Sequence, residues 1–223
     1  IMKCVEAGDF KDSNPNLQSQ YCAIIEVGGA YAHRFYDFVD FLEIPTLILT
    51  DIDFVKDGNK KCQKGNAVRS SNGAINHWCR DAFSIKGTKA VPIETIMDLT
   101  SNPQNKTKGF RHIEFQNEEN GFHPRSLEEA IQNVNREMFK ISEDKTDIPL
   151  FEEGGKHGSK TDFAILLLTD PLYEDFKIPS YIREGLIWLN EQSKMSDFPR
   201  PYERDGVEQN AEGGEVSHEE NEL

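Results

Sequence analysis

Two short runs of branched apolar residues, separated by one amphipathic stretch, limit what this chain can fold into. Residues 22–27 read CAIIEV and stop at Gly28-Gly29; residues 45–52 read PTLILTDI and run into Asp53. Between them, Phe35, Phe38, Val39 and Leu42 recur at helical spacing within residues 32–42. A continuous apolar run bounded by turn residues is the pattern of a strand buried on both faces. Strand, helix, strand is a βαβ unit, which predicts an α/β fold with a parallel sheet, a right-handed crossover and helices on its faces.

The rest of the chain extends this pattern. Asn14-Pro15 marks a turn, and residues 56–72 read as a polar surface loop. Helices are expected over residues 72–83, 91–99, 126–139, 160–168 and 181–192, with a third strand over 110–115 and loops over 102–109 and 151–159. Ser126 with Glu129 three residues on is a capping-box pattern. The 223 residues make one domain of 1–195 followed by a tail of 196–223. From residue 203 onward eight acidic residues face Arg204 alone, so the tail holds −7 of the net −14 and is expected to be disordered. The chain opens at Ile1 rather than Met, as a fragment of a longer protein would.

Charge and cysteine content narrow the function. An acidic chain is a poor nucleic-acid coat, because such coats displace counterions with a basic face. An acidic body still handles phosphates when metal ions stand between carboxylates and substrate. The longest apolar runs, 45–49 and 163–168, fall far short of the ~20 residues that cross a bilayer. No membrane partner and no signal segment is expected. Cys4, Cys22, Cys62 and Cys79 form no CxxC pair and have no histidine at zinc spacing, as free thiols in a reducing cytoplasm would.

Four local features carry possible chemistry. Asp51 and Asp53 stand i and i+2 where the second run leaves the core, so both carboxylates share one face at the carboxyl end of a parallel strand. Hard oxygen ligands so placed suit Mg²⁺, although two aspartates there could also simply cap the next loop. Gly28-Gly29 after Glu26-Val27 reads as a tight turn, and no GxxxxGK[ST] phosphate loop is present. Glu128, in the first turn of a helix capped by Ser126, is either a third metal carboxylate or a dipole partner. Lys160 opens a helix where a cation opposes the dipole, so an anionic partner would justify it; a solvated surface lysine is the alternative.

Taken together, the segments resemble a known family. IIEVGGAYAHRFYDFVDFLEIPTLILTDID, then RSSNGAINHW, RSLEEAIQNVN, KTDFAILL and IPSYIREGLIWL, are similar in kind and order to the TOPRIM domain of OLD-family ATP-dependent endonucleases, over roughly residues 22–190. RSLEEA departs slightly from the family's RSFEDA form. The resemblance implies a Rossmann-like TOPRIM sheet flanked by helices, with further C-terminal helices, and a DNA endonuclease that uses two Mg²⁺ or Mn²⁺ ions. It implies that Asp51 and Asp53 hold metal, that Ser126 and Glu128 help hold the second ion, and that Lys160 lies near the scissile phosphate. It also implies an upstream ABC-type ATPase domain through which ATP acts, an early glutamate preceding Ile1, a homo-oligomer, and possible service in anti-phage defence. Lys60, Lys61, Lys64, Arg69, Lys106 and Lys108 are the expected DNA contacts. A topoisomerase or primase type of TOPRIM, or a regulatory or dimerisation module without catalysis, are the rival readings.

Overall fold

The computed structural model of the protein describes residues 1–13, 16–87, 90–142 and 159–195. The Asn14-Pro15 turn, most of the Gly-rich loop and the acidic tail lie outside them. The order of elements is α1 (Met2–Glu6), α2 (Tyr36–Leu42), β1 (Thr46–Leu49), β2 (Phe54–Lys56), β3 (Lys60–Lys61), β4 (Arg69–Ser70), α3 (Gly73–Ala82), α4 (Ile93–Ser101), β5 (Thr107–Lys108), β6 (Arg111–Glu114), α5 (Leu127–Val134), α6 (Lys160–Thr169) and α7 (Ser180–Met195). This is a mixed α/β arrangement with a parallel pair flanked by helices.

β1 pairs in parallel with β6, Thr46 opposite Arg111 through Leu49 opposite Glu114, and β5 adds antiparallel to β6. Strand direction alternates side chains across the pair. Ile48 and Ile113 enter the main core with Ile52, Phe54, Trp78, Ile96, Leu99 and Phe115, closed by α3 and α4. Leu47 faces the other way, into a second cluster with Cys4, Phe10 and Leu186 under α7. All four residues of β6 are buried although three are charged or polar. They are tolerated because they are paired. Lys106 Nζ lies 2.8 Å from Glu114 Oε2 with both side chains 4% exposed, and His112 Nε2 meets Glu114 Oε1 at 3.0 Å. The Arg111 guanidinium donates twice to Asp40 and lies over the Tyr36 ring.

Three sequence expectations change. Residues 22–27 form no strand; Ile24 and Ile25 are exposed, and β1 takes its parallel partner from β6 instead. An apolar run becomes a strand only where an edge accepts it and layers cover it, and among the described residues this run pairs with no strand and stays largely exposed. The amphipathic stretch is helical, but it buries Tyr36 while Phe38 and Phe41 face outward. Residues 56–72 are not a plain loop. They hold β3 and β4, antiparallel to the two sides of β2, with Phe54 and Val55 buried as their anchor. Short strands rich in Lys and Gly carry no apolar alternation to reveal them.

Gly185 lets α7 lie close on the sheet. A Cβ there would stand 2.8 Å from Leu47 Cδ1 and 3.2 Å from Glu114 Cγ. Gly185→Val overfills this contact and is expected to cost about 2 kcal/mol, lowering Tm by about 5 °C in calorimetry. An unchanged Tm would mean that α7 does not press on β1 there.

Candidate active site

The site forms where β1 and β6 end. The last ladder bond runs from Thr50 N–H to the Glu114 carbonyl at 3.1 Å, and then the two chains part. Carboxyl ends of neighbouring parallel strands open a crevice in this way. The chain that leaves β1 is held at each step. Asn72 Nδ2 donates to the Asp51 carbonyl at 2.7 Å and to Thr50 Oγ1 at 2.8 Å. Ile52 N–H donates to Gln116 Oε1 at 2.8 Å, and Asp53 N–H to the Arg125 carbonyl at 3.1 Å. Asp53 adopts a left-handed backbone, φ 51°, which non-glycine residues rarely take and which is often found at functional sites.

The structure brings all the sequence-singled residues of this group to one place. Asp51 Oδ1 accepts from Gln116 Nε2 at 2.6 Å and from the Leu127 N–H at 3.0 Å, which ties the strand end to the start of α5. Asp53 Oδ1 accepts from Arg125 Nη2 at 2.9 Å. Glu128, 8% exposed in its side chain, meets Lys160 Nζ at 3.0 Å through Oε1, and the same ammonium lies 4.0 Å from Asp51 Oδ2. Ser126 is buried and caps α5, its hydroxyl accepting the Glu129 N–H. Glu129 does not close the expected capping box on Ser126; its carboxylate accepts from the Arg125 N–H one residue earlier. Lys160 stands at the first position of α6, where a Ser159–Asp162 capping box supplies the negative charge that the dipole prefers.

Burial and neighbouring charge act on Asp51, Asp53 and Lys160 together. Burial pushes Asp51 from 3.8 to about 6 against the lowering bond from Gln116, with Asp53 and Glu128 adding repulsion. Burial likewise raises Asp53, against Arg125 and Lys160. Burial would lower Lys160, but the Glu128 bond and the carboxylate charges around it carry the net shift upward. Glu128 Oε2 is buried with no hydrogen-bond partner among the described residues. An orphaned carboxylate oxygen next to two crowded aspartates is donor chemistry that fits a hard divalent cation. Among the described residues no group of three or more His, Cys, Asp or Glu is set to enclose an ion as it stands. The Lys160 ammonium lies between Asp51 and Glu128 instead.

Gln116, Arg125 and Tyr181 were not singled out from the sequence. Gln116 joins Asp51, the Ile52 backbone and the Tyr181 hydroxyl, and so fixes the first carboxylate from β6. Its signal was its place, two residues past a strand end. Other expectations do not reach the site. Glu26 is exposed in the unpaired segment, and Gly28 has an ordinary φ of −50° with open space around it. Of the expected DNA contacts, Lys106 is buried on Glu114, Lys64 pairs with Glu118 and Lys108 with Asp81, whereas Lys60 and Lys61 are exposed. All four cysteines are free thiols, three of them buried.

A parallel strand pair ending in an aspartate cluster is the arrangement expected of a TOPRIM-type domain, and residues 9–53 match the family model described as the TOPRIM domain of Overcoming lysogenization defect protein-like proteins. The match ends on Asp53, at the second aspartate of the pair. Endonuclease GajA of Bacillus cereus (strain HuB5-5) is similar over much more of the chain, 25% identical across 81% of it. The chain spans 29% of the length of that relative. No solved structure matches.

The raised Asp51 has a consequence for stability. The folded protein holds a proton on Asp51 that the unfolded chain loses between 3.8 and about 6, so ionisation removes stability as pH rises through that window. In EDTA, Asp51→Asn is expected to raise Tm at pH 8 and to lose that advantage by pH 4. A gain of equal size at both pH values would contradict the strain on this carboxylate.

Proposed function

We propose that this chain is the phosphodiester-hydrolysing part of a DNA endonuclease that works with Mg²⁺ or Mn²⁺. The observation that carries the reading is the convergence of Asp51 and Glu128 on Lys160, with Asp53 two residues on held by Arg125 and one buried glutamate oxygen unpaired. The similarity to a TOPRIM domain model and to a protein named as an endonuclease supports it.

Asp51, Asp53 and Glu128 would hold the metal, and Ser126, whose hydroxyl keeps one lone pair beyond the α5 cap, would be the further donor for a second ion. A bound divalent cation supplies Lewis-acid stabilisation of phosphoryl oxygens and a water acidic enough to attack. The chain's own groups do the remaining work. Gln116 and the Leu127 N–H hold one oxygen of Asp51 and leave the other facing Lys160. Arg125 holds Asp53 in its left-handed turn. Lys160, its side chain half exposed, would exchange the carboxylate for the phosphate, where its charge would offset the negative charge that grows on the scissile group. The wider assignments belong to the same proposal: an ATPase domain elsewhere in the protein through which ATP acts, a homo-oligomer, a cytoplasmic setting and a role in anti-phage defence. No helix among the described residues is long and apolar enough to cross a membrane.

In the intact protein with Mn²⁺, Asp53→Ala and Glu128→Gln are each expected to lower plasmid cleavage by about a thousandfold or more. ATP hydrolysis should be untouched. Unchanged nicking by both variants would refute the assignment. Calorimetry separates the rival reading: Mn²⁺ binding that ignores Asp51 and Asp53 would favour a module without catalysis. A covalent protein–DNA adduct would favour a topoisomerase.

A further inference from the structure

Beside the carboxylate cluster lies a cavity of the opposite character. It has a volume of about 410 Å³ and is walled by the 3-10 turn Gly29–Phe35, β4 and α3. Arg69, Arg80, His33 and His77 line it, with Asn59 and Ser71 toward its exposed mouth, and no carboxylate lines it among the described residues. In a chain of net −14 a cavity whose charged walls among the described residues are two arginines is a local reversal of sign.

Arg69 differs from three other guanidiniums of the fold. Arg111, Arg125 and Arg183 are each paired with an aspartate, Asp40, Asp53 and Asp9. Arg69 has no carboxylate partner among the described residues, and donates to the neutral Asn59 side chain. Its guanidinium keeps further N–H groups in a fork that fits a phosphate. The two imidazoles stack at 5.5 Å, His33 Nδ1 lying 3.1 Å from the Ala30 carbonyl. Gly73 makes room for this pair, since a Cβ there would be 3.1 Å from His33 Cε1 and 3.0 Å from the Ala30 oxygen.

The cavity is attached directly to the aspartate turn. Ser71 N–H donates to the Asp53 carbonyl at 3.0 Å, and β4 runs from there along β2. Arg69 is two residues from Ser71, about 7 Å of extended chain. That is about the axial rise of two nucleotides, which keeps the cavity within reach of a strand lying on the aspartate turn.

We propose that this cavity is a phosphate subsite for the DNA backbone, gripping a phosphodiester one or two nucleotides from the bond that is cut, with Arg69 as its principal anchor and His77 as a second donor. The proposal rests on the endonuclease reading and adds a residue set that the acidic cluster does not contain.

The test uses the intact protein, a fluorescent DNA duplex and EDTA, so that binding is read without cleavage. Arg69→Ala is expected to weaken affinity about tenfold at 0.1 M salt and to lower the slope of log K against log salt by about one. Arg69→Lys should recover most of the slope, and His77→Gln, at an exposed position, should weaken affinity less without touching the fold. Mn²⁺ binding measured by calorimetry should be the same in all of them, because the carboxylates are intact. Unchanged affinity and slope in both Arg69→Ala and His77→Gln would overturn the subsite while leaving the carboxylate site standing. No duplex binding by the wild-type protein would overturn both. Inorganic phosphate that binds in an Arg69-dependent way, with DNA affinity indifferent to Arg69, would assign the cavity to a free anion and overturn the proposal.

Discussion

The repulsion among three carboxylates at the end of one strand governs the architecture around it. Asp51, Asp53 and Glu128 come from two segments more than seventy residues apart, and each is held by a different device: an amide from the strand next door, a guanidinium, and an ammonium on the first turn of α6. Remove any of these and like charges face one another in a partly buried crevice, where water screens them poorly. The cluster is therefore kept together by its surroundings rather than by its own members. This also explains why so many hydrogen bonds converge on a four-residue exit from β1.

Beneath it, the parallel pair is stiffened by charge as well as by apolar packing. Lys106, just before β5, forms a buried network with Glu114 and His112 of β6, and His112 stacks on Trp188 of α7 at 4.6 Å. Such a network costs desolvation and is justified by the orientation it imposes. Here it locks the strand whose continuation carries Gln116, so the first aspartate inherits its position from charges one layer below. A sequence reading that took Lys106 for a surface contact missed this, because a lysine in a polar stretch gives no sign of burial.

What the sequence did disclose follows the strength of local signals. PTLILTDID announced β1 and the aspartates at its end, and the helix expected over residues 72–83 is α3. Ser126 announced the start of α5, and Lys160 the start of α6. Pairing was the hidden part. CAIIEV has the composition of a buried strand and lies outside every described ladder, whereas KK and RS are paired with β2 despite their polarity. Composition reports what a segment would prefer to bury; it does not report which edge is within reach. Gln116 and Arg125 escaped notice for the same reason, since their roles arise from contacts across 65 and 72 positions of sequence.

The backbone at Asp53 narrows its permitted substitutes from two directions at once. A left-handed φ is comfortable for glycine and tolerable for asparagine, neither of which offers a negative charge. Glutamate offers the charge but has a longer arm and little liking for that region of φ and ψ. Aspartate alone meets both demands. The identity of this residue is thus dictated by the shape of the peptide as firmly as by the ligand its side chain would hold.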